Sequence, residues 1–127
     1  MSAMPADGNA CTLYAIEIRS LEWEKLVAWY RNALGLRSVL RVVDEGYAML
    51  LTGDARLVIM ARTKLDPPSG RLTLAFETAN IKSAVARLMS AGATVTEPVT
   101  NGEGITEVTT TDPEGNRIRL FAWPKSS

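Results

Sequence analysis

The hydrophobic period of residues 13–36 changes from two to about 3.6 in mid-stretch, and this change constrains the fold more than any other feature of the chain. Residues 13–19 alternate between two faces, as in a strand that is packed on one side. From Ser20 to Leu34 the apolar residues recur at i, i+3, i+4 and i+7, which is the pattern of an amphipathic helix. Ser20 suits the N-cap of this helix, and Gly35 suits its left-handed stop. A strand followed directly by a capped helix is therefore predicted.

Three further strands are predicted after this helix. Residues 36–44 are rich in β-branched side chains, and the turn at 44–46 leads into a second strand over 47–52, so the two are predicted to form a hairpin. After a turn at 53–54, the apolar run 57–60 predicts a strand that is buried on both faces. The first half of the chain therefore has the order β-α-β-β-β.

The same order of elements returns in the second half. The segment 64–70 contains adjacent prolines and has no periodicity, so we place a linker there. A strand is predicted over 71–78, and Asn80 suits the N-cap of an amphipathic helix over 81–92. Three more strands are predicted, the first over 93–99, and they are separated by an NGEG loop and a DPEGN turn.

This internal repeat predicts the fold class and the domain organisation. One module cannot bury its sheet alone, whereas two modules packed side by side can. We therefore predict an α+β fold in which two βαβββ modules form an eight-stranded open cup, with the helices outside and a cavity inside. The predicted segments are a flexible tail over 1–11, a first module over 12–63, the linker over 64–70, a second module over 71–124 and a tail over 125–127.

Composition excludes several classes of partner. The chain has 127 residues, 46% of them hydrophobic, which suits one compact globular domain. Its 14 basic and 14 acidic residues include no basic cluster, so we expect no nucleic-acid partner and no membrane surface. No apolar run is long enough to cross a bilayer, and the N-terminus lacks the pattern of a signal peptide. A cytoplasmic protein with a small-molecule or protein partner is expected.

The chain contains no histidine and a single cysteine, Cys11. The absence of histidine removes the commonest general base and the commonest transition-metal ligand. A lone cysteine beside the N-terminal tail is more simply an incidental thiol than a nucleophile. A phosphate-binding glycine loop, a nucleophile elbow and a Cys-x-x-Cys motif are also absent from the sequence. The sequence therefore offers none of the common couples of nucleophile and base.

Several motifs, taken in order, resemble the vicinal-oxygen-chelate superfamily, which includes glyoxalases, extradiol dioxygenases and bleomycin-resistance proteins. They are the repeated β-α-β-β-β order, the first helix ending in YRNALGL, the second helix with RLMSAGATV, and the turn DPEGN followed by RIRLF. The resemblance covers residues 12–123. It implies paired βαβββ modules that form an open cup, often completed as a homodimer, with a divalent metal held on the floor of the cup by His, Gln or Glu.

The resemblance also implies where the ligands of that metal would stand. The four positions correspond in this chain to Ala15, to Val58 or Met60, to Thr73 and to Arg119. A divalent ion needs several nitrogen, oxygen or sulfur donors that are neutral or anionic. These positions offer instead a methyl group, an alkyl or thioether group, a weak hydroxyl and a permanent cation. We therefore expect neither a metal nor another cofactor.

Without a metal, the inner face of the cup is predicted to carry charged side chains in apolar surroundings. The candidate ligand-binding residues on this face are Ala15, Glu17, Arg19, Met60, Thr73, Ala75, Glu77, Arg117, Arg119 and Phe121. Buried charges are costly unless they are paired. One interpretation is that Arg119 binds an anionic or carbonyl group of a ligand, while Glu17 or Glu77 accepts from its donors. The other is that Arg119 pairs with one of these glutamates and fills the vacated metal position; the two interpretations are compatible.

Aromatic residues could supply flat surfaces to an aromatic ligand, and Phe121 and Trp123 are among the candidates. Tyr30 lies on the apolar stripe of the first helix and is predicted to be core. Trp29 lies beside that stripe and is predicted to face a partner subunit or the rim of the cup.

Three functions remain open at this level. The first is metal-independent binding of a small organic molecule in the cup near Arg119, as in the bleomycin-resistance branch. The second is a glyoxalase-like enzyme in which Glu17 or Glu77 acts as general base and Arg119 as electrophilic stabiliser. The third is a dimeric structural or regulatory protein with a collapsed pocket. The resemblance implies a homodimer for the assembly.

Overall fold

A computed structural model describes residues 13–65, 67 and 72–124 of the chain. The predicted N-terminal tail with Cys11, most of the central linker with the first residue of the following strand, and the C-terminal tail lie outside the described residues. Two compact units are present. One comprises Met1–Val27 and Leu36–Leu65, and the other comprises Ala28–Gly35 and Asp66–Ser127, so the first helix contributes to both.

The first five elements follow the predicted order. They are β1 Ile16–Ser20, α1 Trp23–Leu34, β2 Arg37–Val42, β3 Tyr47–Thr52 and β4 Ala55–Ala61, with a single 3₁₀ turn at Val43–Glu45. This turn ends at Gly46, which has a left-handed φ of 62°. The remaining elements are β5 Leu74–Glu77, α2 Ile81–Ser90, β6 Val99–Thr100, β7 Thr106–Thr111 and β8 Arg117–Ala122.

The eight strands form two four-stranded sheets with the same topology. The strand order is β1-β4-β3-β2 in one sheet and β5-β8-β7-β6 in the other. Strand β1 runs parallel to β4, and β5 runs parallel to β8; the other neighbouring strands are antiparallel. The predicted α+β class and the repeated βαβββ order are therefore confirmed. None of the helices within the described ranges is long and apolar enough to cross a membrane.

Some element boundaries differ from the prediction. Helix α1 begins at Trp23, whereas Ser20 is the last residue of β1. The Oγ of Ser20 nevertheless accepts from the amide of Glu22 at 3.1 Å, so this serine binds an amide at the entry to the helix, as the sequence predicts. Of the strand predicted over 93–99, only Val99 is in a strand, as the first of the two residues of β6. Pro98 stands immediately before β6 and has no amide donor, which limits a ladder there. By contrast, Asn80 caps α2 as predicted, since its side chain accepts from the amide of Ser83 at 3.1 Å.

The buried residues of each unit lie where the periodicity predicts them. In the first unit the core residues are Leu26, Val27, Leu36, Ala48, Leu50, Leu57, Val58 and Ile59. The consecutive burial of the last three confirms that β4 is covered on both faces. In the second unit the core residues are Trp29, Tyr30, Ala33, Leu88, Val108, Ile118 and Leu120.

The prediction for Trp29 was wrong. This side chain is only 8% exposed and packs edge-on against Tyr30, with ring centroids 5.1 Å apart and an interplanar angle of 82°. An edge-to-face pair of this kind gains both apolar burial and a favourable quadrupole contact. Trp29 is therefore part of the core of the second unit and does not face a rim or a partner.

Candidate ligand-binding site

Strand β8 separates a core face from an open face. Ile118 and Leu120 are 0% and 3% exposed, whereas Arg119 and Phe121, which alternate with them, are only partly buried. Arg117 precedes them on the same open face and is exposed. The alternation predicted for RIRLF is therefore confirmed. Its aliphatic side chains lie in the core, and its charged and aromatic side chains lie on the opposite face.

The neighbouring strands add their own residues to this open face. Ala75 on β5 and Thr109 on β7 are the register partners of Arg119. Two residues after Arg119 on β8, Phe121 has Glu77 and Glu107 as its register partners. Directly opposed residues on adjacent strands point to the same side of a sheet, with Cβ atoms about 4.5–5.5 Å apart. The ring of Phe121 is therefore flanked by two carboxylates.

Arg119 forms an ion pair with Glu107 through its Nε atom and Oε2 of the glutamate. The two side chains are 34% and 42% exposed, so the pair lies at a surface that is partly shielded from water. The guanidinium carbon also lies 4.8 Å from the ring centroid of Phe121. A cation over an aromatic face is held by the quadrupole of the ring. Two contacts therefore orient the guanidinium.

An aromatic surface continues from this guanidinium toward the end of the sheet. Phe121 and Trp123 pack edge to face, with centroids 5.3 Å apart and an interplanar angle of 88°. Trp123 remains 58% exposed. An exposed aromatic ring next to an oriented cation is able to bind a flat molecule that carries a polar group.

The hydrogen-bonding capacity of Arg119 is only partly used. Its one hydrogen bond to a described residue leaves from Nε, so the two terminal amino groups are not engaged by the described part of the chain. A guanidinium has five N–H donors in a fixed planar fork. The remaining donors are therefore available to an acceptor that approaches along the open face.

Sequence reasoning missed Glu107 as the partner of this arginine. It proposed Glu17 or Glu77, because both alternate correctly on their own strands. In the structure the antiparallel register of β7 and β8 sets Glu107 beside Phe121, within reach of Arg119. The alternation of Glu107 and Thr109 around buried Val108 was the available signal, but alternation within β7 does not reveal which residue of β8 lies opposite.

The candidates in the first half lie on the first sheet. Glu17 is the register partner of Val58, and Arg19 is the register partner of Met60, so these four residues share one face. Glu17 and Arg19 are exposed, whereas Met60 is partly buried. Ala15 immediately precedes β1 and does not belong to the strand. Met60 is thus partly buried on this face, and the two charged residues lie on β1, the end strand of the sheet.

The general-base hypothesis requires a carboxylate in a shielded environment. Glu17 and Glu77 are both exposed along their strands. A catalytic carboxylate base is usually shielded from water, because burial raises its proton affinity. The surroundings of the two residues therefore provide no support for a catalytic role.

The positions that correspond to a metal site do not fit a metal. Val58 is fully buried and apolar, Thr73 lies exposed before β5, and Arg119 presents a cation that is already paired. Within residues 13–65, 67 and 72–124, no group of three or more His, Cys, Asp and Glu side chains stands close enough to hold an ion. Hard and borderline divalent cations require such donors. We therefore derive no chemistry through a metal.

A buried polar cluster supports the turn that leads into β8. Asp112 Oδ1 accepts from the amides of Glu114 and Asn116 at 2.9 and 3.0 Å, and Oδ2 accepts from the Asn116 side chain at 2.8 Å. Tyr30 donates its hydroxyl to the same Oδ2 at 2.7 Å. Burial raises the pKa of Tyr30 well above its ordinary value, and the charge of Asp112 and its hydrogen bond to the phenol add to the shift. The DPEGN motif is thus a structural anchor for the strand that carries Arg119.

Comparison with known proteins places this geometry among related folds. A family model described as "Glyoxalase-like domain" matches residues 15–121. No curated protein sequence matches the chain.

Solved structures of similar fold have little sequence in common with the chain. The bleomycin resistance determinant encoded on transposon Tn5 has a TM-score of 0.68 at 22% identity, over 89% of this chain and 98% of that one. Lactoylglutathione lyase from Agrobacterium tumefaciens has a TM-score of 0.68 at 16% identity, over 90% and 95%. A glyoxalase/bleomycin resistance protein/dioxygenase family enzyme from Burkholderia phytofirmans PsJN has a TM-score of 0.74 at 17% identity, over 86% and 96%. At these identities the likeness establishes the fold alone.

Proposed function

The chain belongs to the glyoxalase-like domain family, within the vicinal-oxygen-chelate superfamily, and we propose that it is a metal-independent small-molecule-binding protein whose ligand is held at Arg119. The family includes metal-dependent enzymes, but the four positions of this chain that correspond to metal ligands lack the necessary donors. Recognition of an organic molecule requires only shape, apolar surface and a few oriented polar groups. The open face of β8 offers aromatic side chains beside a guanidinium that two contacts orient, which supports the proposal.

The observation that carries the proposal is that the Arg119 side chain is held in place and still has unused hydrogen-bond donors. It is half-buried, it is oriented by Glu107 and Phe121, and its terminal amino groups are not engaged by described residues. An oriented donor loses less conformational freedom on binding than a mobile surface arginine would. A carbonyl or anionic oxygen of a ligand would accept from these amino groups while its flat part contacts Phe121 and Trp123.

Ligand-dependent stabilisation of the purified protein tests the proposal. We would screen planar aromatic carbonyl compounds by thermal shift, since a ligand at about a hundred times its dissociation constant stabilises the folded state by about 2.7 kcal/mol. Hits would be repeated with Arg119→Met, which keeps the aliphatic stem but removes the donors. Arg31→Met, on the exposed side of α1, is the matched control.

Loss of the shift in Arg119→Met with retention in Arg31→Met is the expected result. Equal shifts in both variants would contradict the proposal, because the ligand would then bind elsewhere. A screen without any hit would favour the structural or regulatory alternative. If the wild type converts a bound compound and Glu17→Gln or Glu77→Gln does not, the result would favour the enzymatic alternative with a glutamate as general base.

We also propose a homodimer as the assembly. Among the described residues, β1 is the end strand of its sheet and lies next to β4, and residues on and before β1 expose apolar side chains: Leu13 is 80%, Tyr14 61% and Ile16 43% exposed. An end strand with exposed apolar side chains favours pairing with another chain. The solution mass measured by light scattering should be twice that of one chain, and a monomeric mass at micromolar concentration would contradict this proposal.

A further inference from the structure

We infer that Glu107 determines the specificity of this site, and that it restricts the ligand at Arg119 to uncharged planar molecules whose polar edge carries a hydrogen-bond acceptor next to a donor. Carboxamides and lactams have this edge, whereas carboxylates do not. The inference rests on the proposed function, because it concerns the ligand that Arg119 would hold.

The charge of the site supports this selection. Arg119 alone would attract a carboxylate, but its ion pair with Glu107 already balances the positive charge. Glu77, on the other side of Phe121, adds a further negative group to the part of the face over which the ligand would lie. Arg117 is on the same face, but along β8 it stands on the opposite side of Arg119 from Phe121 and Trp123. An anionic ligand at Arg119 would therefore lie close to like charges, and the partial burial of the pair reduces the screening of that repulsion by water. A neutral acceptor meets no such opposition.

The hydrogen-bonding groups support it independently. The terminal amino groups of Arg119 are donors, and Glu107 uses Oε2 for the ion pair while its Oε1 accepts from no described residue. The pair therefore presents donors beside an acceptor. A carboxamide matches this pattern, because its oxygen accepts from Arg119 and its N–H donates to Glu107. A carboxylate has no donor, so it would leave the glutamate oxygen opposed by another oxygen.

The two aromatic side chains next to the pair limit the shape of the ligand. The guanidinium lies over the ring of Phe121, and Trp123 packs against Phe121 with an interplanar angle of 88°. A ring attached to the amide would stack on the face of one of these side chains and contact the edge of the other, burying apolar area on both partners. The expected class is thus an aromatic or conjugated amide.

Two compounds with the same ring system separate the alternatives. 2-Naphthamide and 2-naphthoate share the aromatic part and differ only in the polar edge, so the ratio of their dissociation constants measures the preference of the polar site. We would measure both by isothermal titration calorimetry at neutral pH. The proteins are the wild type, Glu107→Gln, which removes the charge, and Glu107→Asp, which keeps it. Glu24→Gln on the exposed side of α1 is the control.

We expect the wild type to bind 2-naphthamide about two- to fivefold more tightly than 2-naphthoate, which is the range for charge interactions at partly exposed sites. Glu107→Gln should remove or reverse this preference, mainly through tighter binding of 2-naphthoate. Glu107→Asp and Glu24→Gln should keep it. Since Glu107 is 42% exposed, its glutamine variant should fold, and circular dichroism would verify this.

The contrary results are distinct from one another. If both compounds bind in an Arg119-dependent manner but the wild type prefers 2-naphthoate, or if Glu107→Gln leaves the ratio unchanged, the inference is wrong and the proposed function survives. If neither compound binds the wild type at millimolar concentration, the inference is wrong, because it names planar aromatic amides as the ligand class, and the thermal-shift screen still decides the proposed function. If both compounds bind Arg119→Met as tightly as the wild type, the result contradicts the proposed function and the inference with it.

Discussion

The hydroxyl of Tyr30 on helix α1 donates a hydrogen bond of 2.7 Å to Oδ2 of Asp112, a residue 82 positions later in the turn before β8. Both side chains are buried, with exposures of 0% and 3%. The bond joins the second half of the first helix to the turn that starts the Arg119 strand. Residues of the first repeat therefore help to build the second unit, which is why this helix contributes to both units.

Removal of the phenol hydroxyl should destabilise the protein measurably. In Tyr30→Phe, Asp112 loses one of its donors while buried, and we expect a loss of about 1.5–3 kcal/mol, the range for hydrogen bonds to charged groups. Tyr14→Phe is the control, since Tyr14 is 61% exposed, and a surface change of this kind should stay within about 0.5 kcal/mol. Urea denaturation of both variants measures the difference. Equal stabilities would show that the buried bond contributes nothing net.

The same bond predicts a pH dependence at alkaline pH. The folded-state pKa of Tyr30 is raised above its ordinary value of about 10, to which it returns on unfolding. The Tyr30 hydroxyl therefore makes its full contribution to the free energy of unfolding below pH of about 10. Above that pH the contribution falls by about 1.4 kcal/mol per pH unit, because only the unfolded state then loses the proton. The stability gap between wild type and Tyr30→Phe should narrow between pH of about 8 and 11. A constant gap would contradict the buried, protonated state of this phenol.

Arg87 on α2 should stabilise the C-terminal end of α1. Its Nε donates to the carbonyl of Asn32 at 2.7 Å, where the helix leaves carbonyls without partners and carries a partial negative charge. Arg87→Gln should cost about 1–2 kcal/mol, with the helix-terminus and hydrogen-bond effects combined. Lys82→Gln, on the same helix and exposed, is the control. If both variants lose equal stability in thermal unfolding, general charge and not this contact is responsible.

Two glycines with nearly equal φ angles should differ in their tolerance of alanine. Gly46 and Gly53 have φ values of 62° and 61°. Alanine in this left-handed conformation destabilises the folded state by about 1 kcal/mol at either position. A Cβ at Gly46 would stand 2.4 Å from the Cβ of Ala61, whereas one at Gly53 meets nothing within 4 Å. Gly46→Ala should therefore cost at least about 2 kcal/mol more than Gly53→Ala. Equal melting temperatures would show that β4 shifts without cost.

Metal removal should leave the protein unaffected. Ala15, Thr73 and Arg119 supply no set of donors that could hold a divalent ion, so dialysis against a chelator should not change the melting temperature. Elemental analysis of protein purified without a chelator is the direct measurement. About one zinc, nickel or manganese ion per chain would contradict the metal-independent function.

Local patterns in the sequence were sufficient for much of the fold. The alternation of RIRLF sent Ile118 and Leu120 to the core and Arg119 to the open face, because side chains on a strand alternate and apolar ones avoid water. Asn80 and Gly35 mark a helix start and a helix end, since each satisfies a local backbone requirement: an unpaired amide, and a φ of 74°. Such requirements depend only on neighbouring residues.

The tertiary structure alone decided which distant residues meet. Arg119 pairs with Glu107 on β7 and not with Glu77 on β5. This choice depends on the register between β7 and β8, which neither strand determines alone. The burial of Trp29 depends likewise on its packing against Tyr30. The sequence by itself determined the elements and the faces of their residues, because these follow from local backbone geometry and from the avoidance of water by apolar side chains. The partners across those faces were decided only when the strands and helices packed, because they depend on distances that no single segment contains.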